Sequence, residues 1–134
     1  MMARTLAVAD TSVFIAQESG RPLGPDVEGH DYLTTVVTVG ELELGVLVAA
    51  DVQTRARRLA TLDQVRGMPI LSASEEAAHE WARLRAYVGA AGRRVRVNDL
   101  WIAAIAAANR LPVVTQDADF DLLADAPGVE VIRV

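Results

Sequence analysis

The stretch Leu6-Ala7-Val8-Ala9-Asp10-Thr11-Ser12-Val13-Phe14-Ile15-Ala16 decides how the rest of the chain is read. A short apolar run that ends in an acid describes a buried strand. Thr11 and Ser12 then offer hydroxyl caps for a helix through Val13, Phe14, Ile15 and Ala16. The same alternation continues outward. Residues 19–31 are rich in Gly and Pro and read as a loop with room for a little helix. Tyr32 to Val37 has the β-branched density of a second strand. Residues 38–50 carry Leu42, Leu44, Val46, Leu47 and Val48, which predicts a largely buried helix.

Further along, residues 52–65 place Ala56, Leu59, Ala60 and Leu62 among arginines, an amphipathic helix. Residues 68–71 form a short strand. Ser74-Glu75-Glu76 opens a helix with Ala77, Ala78, Trp81, Leu84 and Val88 on one side, ending near Gly89 or Gly92. Asn98-Asp99 caps an Ala-rich helix through Asn109 that is apolar all round and therefore buried. Pro112 to Thr115 is a fourth strand, Phe120 to Leu123 a short helix and Val129 to Val134 a fifth strand. Strands separated by helices imply parallel pairing with right-handed crossovers. The expected fold is α/β, a three-layer α/β/α domain over residues 1–134 with a mostly parallel sheet of about five strands.

Composition narrows the function classes. The chain has 134 residues, 51% hydrophobic and 23% charged, which suits one globular domain rather than a disordered chain. Its longest apolar run, Leu100 to Ala108, has nine residues; a membrane span needs about 20. No apolar stretch with a small-residue cleavage site follows Met1 or Met2, either of which can be the start, so a cytoplasmic protein is expected. Without cysteine there is no disulfide, thiol nucleophile or thiolate metal site.

Every basic residue is arginine, and the net charge of −5 is unevenly divided: −6 over residues 1–54, +5 over 55–110 and −4 over 111–134. The basic middle is either a solvated helical surface or a polyanion-facing patch beside an acidic site. The acidic balance argues against simple electrostatic binding of nucleic acid, unless several carboxylates hold metal ions.

Ligand sites of open parallel sheets lie outside the carboxyl ends of the strands, near the point where strand order reverses. Asp10 ends the first strand. Asp117 and Asp119 follow the fourth. Glu41 and Asp99 lie in the first turns of two helices. These acids therefore converge on one crevice, where they would repel one another and raise their pKa values unless cations intervened. All-oxygen ligands suit Mg²⁺, with Mn²⁺ the alternative, rather than zinc. Such ions position and activate water and stabilise the leaving oxygen in an in-line displacement at phosphorus. Each acid also has a capping role open to it: Asp10 before Thr-Ser, Glu41 in a Thr38-x-x-Glu41 capping box, Asp99 beside Asn98, and Asp117 and Asp119 in a polar turn. Their coincidence at one sheet edge favours chemistry.

Other mechanisms lack parts. His79-Glu80 begins a zincin pattern, but Arg83 stands where the second histidine belongs. Two isolated histidines, His30 and His79, and no lysine disfavour a metal-free acid–base ribonuclease. There is no G-x-S-x-G elbow, and Gly20 to Gly24 is no phosphate-binding loop. Six aromatic residues leave little stacking surface for nonspecific single strands; Trp81 and Trp101 read as core.

The segments Ala9-Asp10-Thr11-Ser12, Val37-Thr38-Val39-Gly40-Glu41-Leu42, Asn98-Asp99-Leu100-Trp101-Ile102-Ala103-Ala104 and Val114-Thr115-Gln116-Asp117-Ala118-Asp119-Phe120 together resemble the PIN-domain nucleases. Within these the match is to the VapC-like toxins of bacterial type II toxin–antitoxin pairs. The resemblance implies a magnesium-dependent endoribonuclease, usually dimeric or in a toxin–antitoxin hetero-oligomer, held inactive by a VapB-like antitoxin whose disordered tail folds on binding. It implies a structured RNA substrate such as tRNA. Asp10, Glu41, Asp99 and Asp117 match the family's acidic quartet, Asp119 an additional acid, and Ser12 and Thr115 supporting hydroxyls.

On this reading Asp10 and Asp99 hold the principal Mg²⁺, while Glu41 and Asp117 complete the ligation or form a second site. Arg93, Arg94 and Arg96, just before Asp99, are candidates for RNA phosphate contacts. Two alternatives stand beside it: a non-catalytic interaction domain whose acidic crevice receives an Arg-rich peptide, and a housekeeping RNA-processing or flap nuclease.

Overall fold

Alternation along the central strands divides the apolar residues between two faces, and this creates the layers. In the computed structural model, which describes residues 4–134, β1 (Thr5–Ala9) sends Val8 to one side and Ala7 and Ala9 to the other. In β4 (Val113–Thr115), Val113 joins Val8 and Val114 joins Ala7 and Ala9. The helices α1 (Thr11–Ser19), α2 (Val36–Leu47) and α3 (Val52–Arg66) cover the second face. On the first lie α4 (Glu75–Ala90) and α5 (Val97–Ala108). This is the expected α/β/α sandwich. The choice between Met1 and Met2 as start lies outside the described residues.

The sheet runs β3-β2-β1-β4-β5, with β2 at His30–Thr35, β3 at Ile70–Leu71 and β5 at Val131–Arg133; every pairing is parallel. Register sets Val8 against Val113 and Ala9 against Val114. The chain leaves β1 to build β2 on one side and later returns with β4 on the other. The carboxyl ends of β1 and β4 are therefore the switch point where a crevice opens.

Several boundaries depart from expectation for local reasons. The second strand ends at Thr35, because its hydroxyl caps α2 by accepting from the Thr38 amide at 3.3 Å. The helix thus begins two residues before Thr38, no capping box forms there, and Glu41 falls in the second turn. Nor is α2 largely buried: among its residues only Thr38 and Leu42 are fully covered, while Leu44 is 59% and Leu47 71% exposed. Its apolar character is wider than the stripe that α3 and the sheet can reach.

In α3 only Leu62 and Val65 are buried; Ala56, Leu59 and Ala60 face outward. In α4 the stripe Ala77, Leu84 and Val88 is buried as the periodicity predicts, although Ala78 is exposed. Ser74 caps that helix by accepting from the Ala77 amide. Trp81 and Trp101 are half-buried and stack on each other, centroids 5.4 Å apart, with Trp81 packed against the edge of the core rather than enclosed in it. The helix α5 starts at Val97, ahead of Asn98-Asp99, so neither residue is its cap, and Asp99 lies in its first turn as expected. A 3₁₀ turn at Pro25–Gly29 occupies the first loop, and another, Ala118–Leu123, follows β4. Among the described residues no helix is long and apolar enough to cross a membrane.

Candidate active site

The crevice at the carboxyl ends of β1 and β4 is built first from hydroxyls. Asp10 leaves β1 in extended conformation and occupies the position before α1, but its carboxylate makes no capping bond. It turns inward, where it is 2% exposed. Ser12 donates to its Oδ1 at 2.7 Å and Thr115 to its Oδ2 at 3.0 Å. Each hydroxyl is anchored in turn: Ser12 Oγ accepts from the Gln116 amide at 2.9 Å, and Thr115 Oγ1 from the Asp117 amide at 2.9 Å. The loop after β4 is thereby tied to the start of α1. The expected capping by Thr11 and Ser12 does not occur, because both hydroxyls serve carboxylates instead.

Thr11 reaches the other way. Its hydroxyl lies 2.7 Å from Glu41 Oε1 and 3.1 Å from Thr38 Oγ1, fixing the glutamate across the α1–α2 corner. Residue-type reading assigned Thr11 only to helix capping; the signal for its role is its place beside Asp10, one turn from a helix that carries the next acid. Thr34 braces the same corner from below by donating to the Ala9 carbonyl at 3.1 Å.

The remaining acids meet on the far side. Asp117 caps the 3₁₀ turn after β4, its Oδ1 accepting from the Asp119 amide at 2.9 Å. Asp99 rises from the first turn of α5 and is 8% exposed. Carboxylate oxygens of Asp99, Asp117 and Asp119 lie within 4.8 Å of one another. Asp10 and Glu41 stand outside that tight group, yet both charges act on Asp99. The five acids singled out in the sequence thus lie in two tiers at this sheet edge, with Glu41 reached through Thr11 and also lining the neighbouring apolar groove.

Arg96 joins the second tier. Its guanidinium lies 2.8 Å from Asp119, 3.0 Å from Asp117 and 3.6 Å from Asp99. The other two candidate arginines diverge. Arg93 is held by Asp125 at 2.6 Å and by the Leu122 carbonyl at 3.0 Å, whereas Arg94 is exposed, with no ion pair among the described residues.

The electrostatics record the crowding. Burial pushes Asp10 up from 3.8 to about 6, against the opposing pull of the Ser12 and Thr115 hydroxyls. Burial likewise raises Asp99 to about 6; Arg96 opposes this, while Asp117, Asp10 and Glu41 add to it. Asp99 Oδ2 is buried and has no hydrogen-bond donor. A buried acceptor with no donor is uncommon and calls for an explanation. A hard divalent cation fits: the donors are all oxygen, three carboxylates converge, and one of the three carries the orphaned atom. These residues can hold such an ion and place a phosphodiester beside it.

The chain matches the PIN domain family over residues 7–126. It is 56% identical to Ribonuclease VapC5 of Mycobacterium tuberculosis, over 95% of this chain and 94% of that one. To Ribonuclease VapC4 of the same organism it is 43% identical, over 96% of each chain. Its fold superposes with a TM-score of 0.89 on the crystal structure of VapBC-5 from M. tuberculosis, a member of the VapBC family of toxin–antitoxin systems, at 53% identity over 97% of this chain and 99% of that one. The chain belongs to the PIN-domain family and, within it, stands with the VapC proteins.

Proposed function

We propose that this protein is the toxin of a type II toxin–antitoxin pair and a Mg²⁺-dependent endoribonuclease that hydrolyses phosphodiester bonds in a structured RNA such as tRNA. The observation that carries this reading is the orphaned, buried Oδ2 of Asp99, a residue whose carboxylate converges with those of Asp117 and Asp119 at the sheet's switch point. Asp10, Glu41, Asp99 and Asp117 are the residues we assign to catalysis, with Asp119 as an added ligand, Ser12 and Thr115 as positioning hydroxyls, and Mn²⁺ able to replace Mg²⁺. When bound, the cation supplies an activated water and charge for the leaving oxygen.

The chain's own residues do the rest. Ser12 and Thr115 fix both oxygens of Asp10, so this acid meets a cation without reorganising. Thr11 does the same for Glu41. Asp99 supplies a nearly dry carboxylate, which strengthens its hold on any charge brought against it. Arg94 and Arg96 are the arginines we place against RNA phosphates; Arg93 reaches that role only by leaving Asp125. The protein acts as one domain, in the cytoplasm.

The partner is a VapB-like antitoxin, in a hetero-oligomer. Support comes from the apolar residues that α2 leaves uncovered. Leu44 and Val48 line a groove of about 740 Å³ with Ile15 of α1, and Arg57 and Arg58 of α3 flank it. An amphipathic segment of the antitoxin would cover this groove.

The test is cleavage of total cellular RNA by antitoxin-free protein with Mg²⁺ or Mn²⁺, against EDTA and an Asp99→Asn control. Discrete fragments that vanish in both controls are expected. Fragments that persist in EDTA would overturn the metal dependence and fragments that persist in Asp99→Asn the role of Asp99, while no cleavage with metal bound would turn the reading to a non-catalytic domain.

A further inference from the structure

Arg96 occupies the place where a cation is wanted. Its Nη2 approaches Asp119 Oδ2 at 2.8 Å and Asp117 Oδ2 at 3.0 Å, and its Nε lies 3.6 Å from Asp99 Oδ2. These are the same three residues whose oxygens converge within 4.8 Å. The choice of oxygen matters. Asp117 Oδ1 already accepts from the Asp119 amide, so Oδ2 is the atom left to bind a cation, and Arg96 holds it.

From this geometry we propose that Arg96 is a built-in counter-cation, competing with the divalent ion for Asp117 and Asp119, and that metal entry releases its guanidinium toward the RNA phosphate. The proposal rests on the nuclease reading above and adds to it an order of events at the site.

The physical grounds are charge and exposure. A divalent ion binds carboxylate oxygens at about 2.0–2.1 Å and needs the lone pairs that the guanidinium now uses. Two cations packed against the same three carboxylates repel each other at contact distance. One must leave, and Arg96 is able to. Its side chain is 68% exposed and its backbone is the first residue before α5, so swinging outward breaks no core packing. Arg93, by contrast, is pinned by Asp125 and the Leu122 carbonyl and has no contact with the three acids.

A guanidinium released at the rim, next to a metal that binds phosphate oxygen, meets the substrate's charge where it is needed. Metal and RNA then favour each other, because each takes a partner that the metal-free site had joined. Without metal, Arg96 holds the loop after β4 against α5 and keeps the acids from repelling one another apart.

Isothermal titration of the RNA-free protein with Mn²⁺ alone tests this. Arg96→Gln should lower the Mn²⁺ Kd about tenfold, the scale of a charged hydrogen bond removed from competition. Arg96→Lys, which keeps the charge but not the fork, should fall between the two. In cleavage assays the Mn²⁺ concentration for half-maximal rate should drop in Arg96→Gln while the KM for RNA rises. Equal Kd values in wild type and Arg96→Gln, or weaker binding in the variant, would overturn the role of Arg96 while leaving the nuclease reading intact. No Mn²⁺ binding by either chain would overturn both. Circular dichroism checks folding, and where Arg96→Gln does not fold, the lysine variant decides: an unchanged Kd there refutes the competition.

Discussion

Asp10 and Asp119 are acids at one crevice, held by opposite means. Asp10 is 2% exposed and fixed by two hydroxyls that are themselves tied to backbone amides. The side chain of Asp119 is 51% exposed and held by a guanidinium whose side chain is 68% exposed. The inner corner is ordered by packing and neutral hydrogen bonds, and so stays in place whatever ion is present. The rim is ordered by counter-charge, so its geometry depends on which cation it holds. A site built this way keeps one wall rigid and leaves the other responsive to metal and substrate.

Substitution at the two tiers should break that contrast most visibly. Asp99→Asn or Asp10→Asn keeps shape and removes charge, and each should reduce RNA cleavage by more than about 100-fold, exceeding what loss of a metal-supporting group usually does. Asp119→Asn should reduce it by about tenfold or less, because an exposed carboxylate is replaceable by water. The measurement is the initial rate on one RNA at saturating Mg²⁺. Equal losses at Asp10 and Asp119 would erase the distinction between the tiers.

The hydroxyls come next. Thr115→Val removes the donor to Asp10 Oδ2 and the acceptor of the Asp117 amide in one step. Leaving buried partners unmatched costs about 1–3 kcal/mol, and activity should fall about 10–100-fold. Thr115→Ser restores the hydroxyl and should recover most of both. Thermal melts beside cleavage rates separate this from a simple packing defect, since serine also lacks the methyl group.

Much of this was legible in the residues themselves. The layers followed from Leu6 to Ala9 and from the β-branched and Ala-rich runs, because period-2 and period-3.6 patterns survive in sequence. All five acids could be placed at the sheet edge for the same reason. The misreadings have specific causes. Thr38-x-x-Glu41 has the form of a capping box, but Thr35 took the cap and moved the helix start. Leu44, Leu47 and Val48 promised burial, yet an apolar helix face left open to solvent carries the same composition as a core. The grip of Arg96 on Asp117 and Asp119 joins residues 21 and 23 positions apart through a loop whose path no local pattern specifies.

Acid and alkaline titrations sharpen the comparison further. Asp10 is raised from 3.8 to about 6 in the fold, so between those values the folded protein binds the extra proton. The metal-free protein should therefore lose stability as pH rises from about 4 to about 6, with about 3 kcal/mol from Asp10 on the scale of 1.36 kcal/mol per pKa unit and a further loss from Asp99, raised over the same range. Saturating Mg²⁺ should restore most of it at pH 7.5 and little at pH 4.5, as melting temperatures with and without EDTA would show. A metal-free protein equally stable at pH 4.5 and 7.5 would mean that neither Asp10 nor Asp99 is strained by its burial.

The smallest effect belongs to the opposite case, away from the crevice. Asp125 is held at about 2 by its hydrogen bonds to Arg93, on the surface of the fold. Its folded pKa lies below its unfolded one, so its contribution is present above about 4 and is lost as pH falls toward 2. Asp125→Asn should lower the melting temperature slightly at pH 7, with the difference from wild type shrinking through that acid window. Screening by solvent keeps such a pair weak. The two slopes then have opposite signs: neutral pH penalises the buried acid that waits for a cation, and acid pH penalises the exposed acid that already has one. If Asp125→Asn changed stability equally at pH 2.5 and pH 7, Arg93 would be held by the Leu122 carbonyl rather than by charge, which would leave the guanidinium easier to recruit to RNA.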